Sequence, residues 1–260
     1  FAELLSNLPP SVNCLAVSPD STLLAIGGSE RRIELRDLRE GKLQAAVTTK
    51  AAPFSVDFHP EGTKLATGSY GPQGEVWSIE EDGDMELMRT EQCGFAAAFS
   101  PDGKTLALST RRISFVDAET GTRHDGAHIS MITSARFTAD GKYILSTSTD
   151  GTFRQWNPAT GKHVRQLELP AGVSQVLAIS ADDATVAGKH EVEGVVLWDR
   201  DSAEVKATFG KEQGQPVSAA FSPAGDLLAT AGPDAVRVWE TNELKIRQSW
   251  KYEETDRGPV

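Results

Sequence analysis

Short runs in which apolar and polar residues alternate recur along the whole chain, and turn-forming residues separate them. An apolar residue at every second position is typical of a β-strand. The stretch from residue 132 to residue 167 shows the pattern most clearly, and it predicts four strands at Ile132–Phe137, Lys142–Ser148, Thr152–Trp156 and Lys162–Leu167. Since short turns join these runs, we expect one antiparallel four-stranded sheet.

The turn that follows the first strand of each set is a repeated motif. Its clearest form is Ser-Pro-Asp-Gly at Ser100–Gly103. Proline presets φ, aspartate bonds its own backbone and glycine accepts a positive φ, so the motif favours a tight turn. The Ser position recurs at spacings of 41, 41, 38, 42 and 42 residues, in Ser18, His59, Ser100, Thr138, Ser180 and Ser222. A period near 40 residues indicates a repeat architecture.

Each repeat also has a predicted second strand and a predicted third strand. The second strands are expected at Leu23–Gly27, Lys64–Gly68, Thr105–Ser109, Tyr143–Thr147, Thr185–Gly188 and Leu227–Ala231. Four of the six third strands end in tryptophan, at Trp77, Trp156, Trp198 and Trp239. The first and third repeats have Arg36 and Val116 at this position.

The repeat period, the Ser-Pro-Asp-Gly turns and the strand-ending tryptophans together resemble the WD40-repeat family of β-propellers over essentially the whole chain. The resemblance implies an all-β fold of the WD40 β-propeller type, in which four-stranded blades surround a central channel. One domain is expected to span residues 1–260. It contains an outer strand in 1–10, repeats at about 11–51, 52–92, 93–130, 131–170, 171–214 and 215–257, and the start of a further blade in 258–260.

The two ends of the chain leave the number of blades open. Phe1–Leu8 is similar to the fourth-strand segment Val164–Leu169, and Gly258–Val260 is similar to Gln215–Val217, which opens the sixth repeat. The favoured interpretation is a ring of seven or more blades cut from a longer chain. A compact ring of six blades with one redundant terminal strand is the alternative.

The resemblance also implies a hydrogen-bonded tetrad in the fourth blade. Members of the family commonly link a histidine before the blade, a Ser or Thr on its second strand, an aspartate in the next turn and the tryptophan of its third strand. The matching residues are His128, Ser148, Asp150 and Trp156. We interpret this tetrad as structural, because a satisfied buried polar network holds neighbouring turns together.

Composition and charge narrow the classes of ligand. The chain has 260 residues, of which 39% are hydrophobic and 24% charged, as in an ordinary soluble globular protein. A formal net charge of −11 argues against nucleic acid as the main ligand. No apolar run is long enough to span a membrane. Cys14 and Cys93 are interpreted as free thiols that pack in the fold.

The sequence shows no catalytic motif, so no catalytic residue, metal or cofactor is predicted. His124 and His128 are expected in a turn and the following loop rather than on one helix face, and His59 is expected to have a structural role. The acidic run Glu80–Asp84 lacks the ligand spacing of an EF-hand and is interpreted as solvated surface, with a weak Ca²⁺ site as the alternative.

Basic and aromatic residues mark a candidate binding surface. In this family, the loops between the second and third strands lie on one face that often binds partners. Here those loops carry Arg31, Arg32, Tyr70, Arg111, Arg112, Lys189 and His190. Arg and Tyr are frequent in interface hot spots, so the first three blades are expected to form an arc that binds a protein or peptide. The alternative is that each Arg neutralises nearby carboxylates or replaces missing tryptophan packing.

The function predicted from the sequence is therefore a non-catalytic protein–protein interaction scaffold or sensor module. Two alternatives stay open at this point. One is an enzyme, such as a hydrolase or a lyase, that uses the mouth of the channel. The other is a purely architectural repeat within a larger protein.

Overall fold

The described residues form 24 β-strands in six four-stranded antiparallel sheets. The computed structural model describes residues 12–69, 73–80, 83–92, 94, 96–109, 112–127, 132–148, 150, 152–211, 214–232 and 235–251. Within every sheet the strands follow one another in chain order, so each sheet is a single local unit that we call a blade. The prediction of an all-β fold with six four-stranded blades is confirmed.

The first three blades have the following bounds. Blade 1 contains β1 (Val12–Val17), β2 (Leu23–Gly28), β3 (Arg32–Asp37) and β4 (Leu43–Thr48). Blade 2 contains β5 (Pro53–Phe58), β6 (Lys64–Ser69), β7 (Gln73–Ile79) and β8 (Met85–Gln92). Blade 3 contains β9 (Ala96–Phe99), β10 (Thr105–Ser109), β11 (Arg112–Asp117) and β12 (Arg123–Ala127).

The other three blades follow the same plan. Blade 4 contains β13 (Ile132–Phe137), β14 (Ile144–Ser148), β15 (Phe153–Asn157) and β16 (Lys162–Leu167). Blade 5 contains β17 (Val173–Ile179), β18 (Thr185–His190), β19 (Gly194–Asp199) and β20 (Val205–Phe209). Blade 6 contains β21 (Ser218–Phe221), β22 (Leu227–Ala231), β23 (Ala235–Glu240) and β24 (Lys245–Lys251). The bounds predicted for blade 4 differ from these by at most two residues at any strand end.

The repeated turn is closed by its own side chains. In blade 3, the Ser100 hydroxyl donates to Asp102 Oδ1 over 2.7 Å and accepts from the Thr105 backbone N–H over 2.9 Å. In blade 4, Thr138 takes the part of the serine and donates to Asp140 Oδ1 over 2.7 Å. The hydroxyl thus satisfies the first amide of the second strand and orients the aspartate at once. This double role explains why a Ser or Thr opens five of the six turns.

The described residues from 12 to 150 and from 154 to 165 form one compact unit, which holds blades 1, 2 and 3 and most of blade 4. Its core lies between successive blades. Leu35 of blade 1 packs with Phe58 and Trp77 of blade 2, and Val116 of blade 3 packs against the other face of blade 2. A third cluster joins blade 3 to Trp156 of blade 4. Both faces of these blades are apolar. The alternation of apolar and polar residues along a strand therefore does not show which face of a blade is buried.

The described residues 152–153 and those from 166 to 251 form the second compact unit, which holds blades 5 and 6. Its core is the seam between those two blades, where Leu197 and Phe209 of blade 5 pack with Leu228 and Trp239 of blade 6. The Phe209 and Trp239 rings are tilted against each other, with their centroids 4.7 Å apart.

Some predicted features lie outside the described residues. These are the outer strand in residues 1–10 and the start of a further blade in residues 258–260. Whether the ring contains a blade beyond the six described ones therefore stays a prediction. Among the described residues, no helix has the length and apolar character needed to cross a membrane.

Candidate partner-binding surface

Arg31 lies in the turn between β2 and β3, in the first compact unit. Its backbone has a left-handed φ of 59°, and its carbonyl accepts a 2.8 Å hydrogen bond from the Thr49 amide. The turn is thereby tied to the chain that leaves blade 1. The Arg31 side chain is exposed, and no hydrogen bond or ion pair of its guanidinium is found among the described residues. Arg31 is thus a positive charge held on a fixed turn and available to a partner.

Arg32 belongs to a row of charges along one face of β3. Its Nε lies 3.1 Å from Glu34 Oε1, and its side chain keeps 43% of its surface exposed. Arg36 is buried and holds the other Glu34 oxygen with two nitrogens, Nε at 2.8 Å and Nη2 at 2.7 Å. The alternation of a strand places these three residues on one face. Arg32 therefore serves partly to neutralise Glu34, and Arg36 fills the tryptophan position with an ion pair.

Arg112 begins β11 in blade 3, and its side chain is exposed. It lies close enough to Asp125 of β12 to act on its ionisation. Burial raises the pKa of Asp125, but hydrogen bonds from Ser114 and Arg123 and the charges of Arg123 and Arg112 outweigh it and leave the pKa lowered. Arg112 is therefore partly compensated within its own blade.

Two members of the predicted arc, Tyr70 and Arg111, lie outside the described residues. The predicted Lys189 and His190 end β18 in the second compact unit. The Nδ1 atom of His190 accepts hydrogen bonds from the amides of Val192 and Glu193, both over 3.1 Å. His190 thus organises the turn that follows its strand, a role that the sequence did not indicate.

The predicted tetrad of blade 4 is only partly within the described residues, because His128 lies outside them. The Trp156 indole donates to Ser146 Oγ over 2.7 Å, whereas Ser148 Oγ accepts the Asp150 amide over 3.2 Å. Asp150 Oδ2 also lies 3.5 Å from Arg154 Nη2. The hydroxyl that binds the indole is thus two residues earlier than expected. The tetrad as a whole stays a prediction.

The tryptophan of blade 6 binds a hydroxyl at the same place. In blade 6, Trp239 lies opposite Leu228 and donates to Thr230 Oγ1, two residues further along β22, over 2.8 Å. Ser146 holds the place of Thr230, since Ile144 and Leu228 occupy equivalent positions in their ladders. In blade 5 this place is Gly188, and the buried Trp198 Nε1 has no partner among the described residues.

Blade 2 carries a group of polar side chains that the sequence did not reveal. Ser55 Oγ accepts the Ala97 amide over 2.9 Å, and Asp57 Oδ2 accepts the Phe99 amide over 2.7 Å. His59 Nε2 lies 3.2 Å from the Gly103 carbonyl oxygen, and its ring meets the Phe99 ring edge-on. Three alternate residues of one strand and its turn thus bind the backbone of the next blade. The expected structural role of His59 agrees with this contact.

The remaining candidates for chemistry are few. Cys14 is a free thiol whose pKa burial raises to about 12, so it stays neutral, and Cys93 lies outside the described residues. His124 lies exposed on β12 rather than in a turn as predicted. Among the residues that the structure describes, no three His, Cys, Asp or Glu side chains are grouped so as to hold a metal ion.

The sequence matches the profile of the WD40 family, described as "WD domain, G-beta repeat", at residues 3–37 and 120–157. The second matched segment runs from the turn before β12 through β15, so it joins the outer strand of blade 3 to the first three strands of blade 4. The first segment ends at the equivalent point of blade 1, at the last residue of β3.

Several curated proteins are similar to this chain. Pre-mRNA-processing factor 19 of Oryza sativa subsp. japonica is 21% identical over 91% of the chain and 39% of its own length. Protein hir1 of Schizosaccharomyces pombe is 26% identical over 75% of the chain and 21% of its own length. The small ribosomal subunit protein RACK1 of Medicago sativa is 27% identical over 56% of the chain and 38% of its own length. The chain thus spans less than two fifths of each of these relatives.

Proposed function

Because the chain belongs to the WD40-repeat family of β-propellers, we propose that it is a non-catalytic scaffold or sensor module that presents its blade loops to a protein or peptide partner. WD40 propellers are typically interaction scaffolds and are in general not enzymes. The observation that carries the proposal for this chain is the exposed guanidinium of Arg31, held on a fixed turn at one end of blade 1.

The charge of the surface supports a partner that carries carboxylates or phosphates. The protein has a net charge of −11, so an exposed Arg stands out against an acidic background. Arg binds such groups through paired N–H donors, and it is frequent among interface hot spots. Arg112 starts the third strand of blade 3, as Arg32 does in blade 1, and the one blade between them packs against both in the same unit.

The members of the arc are not equivalent, and this decides which residues to test. Arg32 is bound to Glu34, so reversing its charge would place two carboxylates together and disturb blade 1. Arg31 has no such tie among the described residues. Arg112 is partly compensated by Asp125, so its charge is better removed than reversed. The informative variant is therefore Arg31→Glu/Arg112→Gln, which leaves Arg32 in place and adds no carboxylate beside Asp125.

The test compares partner capture by three forms of the 260-residue chain: the wild type, the arc variant and a control. The control, Arg247→Glu/Lys251→Gln, makes the same change of charge on the exposed strand β24. We expect wild type and control to retain the same protein from a lysate, and the arc variant to lose it. If the arc variant retains the same partner as the wild type, the arc has no role in binding. If both variants lose the partner, the effect comes from net charge alone.

We also propose that a further blade packs against the first blade. Leu15 and Val17 of β1 are 57% and 50% exposed, whereas the equivalent Val56 and Phe58 of blade 2 are 8% and 6% exposed beneath blade 1. The face thus has the residues of a covered seam. Leu15→Glu should be tolerated by the 260-residue chain and should destabilise a longer form that contains the added blade. An equal effect in both forms would argue against the further blade.

A further inference from the structure

The seam between blades 2 and 3 is held by a set of side chains that we call the clamp: Ser55, Asp57 and His59. Each one bonds the backbone of blade 3, at the Ala97 amide, the Phe99 amide and the Gly103 carbonyl oxygen. Asp57 is the member that is unusual for its place. The residue two positions before the turn is alanine in four of the six repeats, at Ala16, Ala98, Ala178 and Ala220, and it is Arg136 in blade 4.

An alanine at the position equivalent to Asp57 is sufficient for one blade to pack against the next. Ala16 belongs to the apolar cluster between blades 1 and 2, and Ala178 is buried in the cluster between blades 5 and 6. Packing therefore does not require the carboxyl group of Asp57. The group adds a hydrogen bond to Phe99 and, with it, an ionisable proton inside the seam.

Burial between the two blades raises the pKa of Asp57 to about 6, while the bond from the Phe99 amide and the charge of Arg136 act in the opposite direction. Few other ionisable groups face it. Strand β9 (Ala96–Phe99) has none, β1 (Val12–Val17) has only the neutral Cys14 thiol, β6 contributes Lys64 and β13 contributes Arg136. On its own strand the neighbour is His59, whose Nδ1 accepts the Glu61 amide.

We propose that Asp57 makes the seam between blades 2 and 3 sensitive to protons, so that the seam is closed more firmly in mildly acidic solution than at neutral pH. The neutral carboxylic acid keeps an oxygen that accepts the Phe99 amide and costs little to hold between two blades. The carboxylate makes the same bond but loses its hydration there. Ionisation therefore favours an opened seam in which water reaches the group.

The direction of the pH dependence follows from the linkage between proton binding and closing of the seam. A carboxyl group whose pKa is higher in the closed seam than in the opened one takes up a proton on closing. The ratio of opened to closed seam then rises by up to about tenfold per pH unit as the pH increases through the interval between the two pKa values. That interval runs from the usual 3.8 of a solvated aspartate to about 6 for Asp57. Above it the ratio no longer changes.

Native-state hydrogen exchange of the full chain measures this ratio at the Phe99 amide between pH 4 and pH 7, after correction for intrinsic exchange rates. The Leu23 amide, which bonds Ser18 Oγ over 2.8 Å in blade 1, is the internal reference. We expect opening at Phe99 to become rarer as the pH falls to 4, with no such trend at Leu23. A flat profile at Phe99, or one of opposite sign, would overturn the proposal.

Three variants distinguish the effect of the ionisable group of Asp57 from the effect of its hydrogen bond to Phe99. Asp57→Asn keeps an acceptor for the Phe99 amide, and Asp57→Ala restores the residue found in four repeats, so both are expected to fold and to remove the pH trend. Ser55→Ala deletes a clamp bond without an ionisable group and should keep the trend. If Asp57→Asn retains the trend of the wild type, the proton belongs to another group such as His59, and the proposal fails.

A direct titration gives a second readout that does not depend on any variant. Carbon NMR of the Asp57 carboxyl group in the wild-type chain should show a midpoint well above that of an exposed aspartate. A midpoint at or below about 4 would overturn the proposal, because an ordinary carboxyl group cannot couple closure to protons in this range.

Discussion

Trp156 donates its indole hydrogen to Ser146, with 2.7 Å between Nε1 and Oγ, and both side chains are buried. The two residues belong to adjacent strands of blade 4, β15 and β14. The bond fixes the orientation of a ring that packs against blade 3. A polar contact inside one blade therefore supports an apolar contact between two blades.

Ser146→Ala should lower the stability of the chain. The substitution leaves the buried Trp156 N–H without its acceptor, and an unsatisfied buried donor costs about 1–3 kcal/mol. Urea unfolding monitored by tryptophan fluorescence measures the loss. Ser148→Ala is the matched control on the same strand, since it removes a hydroxyl that bonds the Asp150 amide over 3.2 Å instead of the indole. A larger loss for Ser148→Ala than for Ser146→Ala would contradict the assignment.

Gly188 of blade 5 should not accept the hydroxyl residue that its place carries in blades 4 and 6. A Cβ added there would lie 2.7 Å from Cζ3 of Trp198 and 2.8 Å from the Gln175 carbonyl oxygen. Gly188→Ser is therefore expected to destabilise the chain by about 1–3 kcal/mol through overpacking, although it offers an acceptor to Trp198 Nε1, which has none among the described residues.

Thermal unfolding of Gly188→Ser and Gly188→Ala tests this expectation, because both variants add the Cβ and only one adds a hydroxyl. The smaller ring in Gly188→Ala/Trp198→Phe should recover part of the loss. Stabilisation by Gly188→Ser would show that the ring moves aside to use the new acceptor.

The six blades could be predicted from the sequence because the information is local. A hydroxyl residue that closes a turn, as Ser100 does with Asp102 and Thr105, has to stand at a fixed distance before the next strand. The spacing of such residues therefore predicts the six described blades and most of their strand positions. Strand β14 starts at Ile144 rather than at the predicted Lys142, because the Lys142 amide bonds the turn residue Asp140.

The polar contacts of the blades could be predicted only in part. Ser146 and Ser148 lie on the same face of β14, since they are two residues apart, and only the register with β15 decides which one meets Trp156. Asp57 was not identified because its partner is the Phe99 backbone amide in the next blade, and no side-chain pattern marks an amide. Arg31 was identified, because an exposed turn between two strands is recognised locally.

The buried charges of blade 1 should be more costly to break singly than to replace together. Arg36 holds Glu34 with two nitrogens, and the two side chains are only 9% and 7% exposed. Glu34→Leu leaves Arg36 without its carboxylate, and Arg36→Met leaves Glu34 without its buried guanidinium; about 3–5 kcal/mol is typical for breaking a buried pair in this way. Glu34→Leu/Arg36→Met removes both charges and fills similar volume, so it should be less destabilising than either single change.

A double-mutant cycle in urea measures this coupling, with Arg32→Gln as a control because Arg32 is the more exposed partner of Glu34. We expect a small effect for the control and a strong coupling for the buried pair. Additive effects of the two single changes would show that the ion pair contributes nothing beyond its separate side chains.

Acidic pH should weaken the turns that precede the second strand of each blade, and the turn that contains Asp140 is the clearest case. The hydroxyl of Thr138 and then the amide of Lys142 hold the Asp140 carboxylate by hydrogen bonds, which lowers its pKa from 3.8 to about 2. Because the pKa is lower in the folded state, the contribution of this carboxylate to the stability of the fold is complete above about pH 4 and is lost as the pH falls towards 2.

Carbon NMR titration should place the Asp140 midpoint near 2 in the wild type and closer to 4 in Thr138→Val. Thr120→Val, in a turn of blade 3 where the hydroxyl bonds Asp117 instead, should leave the Asp140 midpoint unchanged. An Asp140 midpoint near 4 in the wild type would show that the turn holds the acid and the carboxylate equally well.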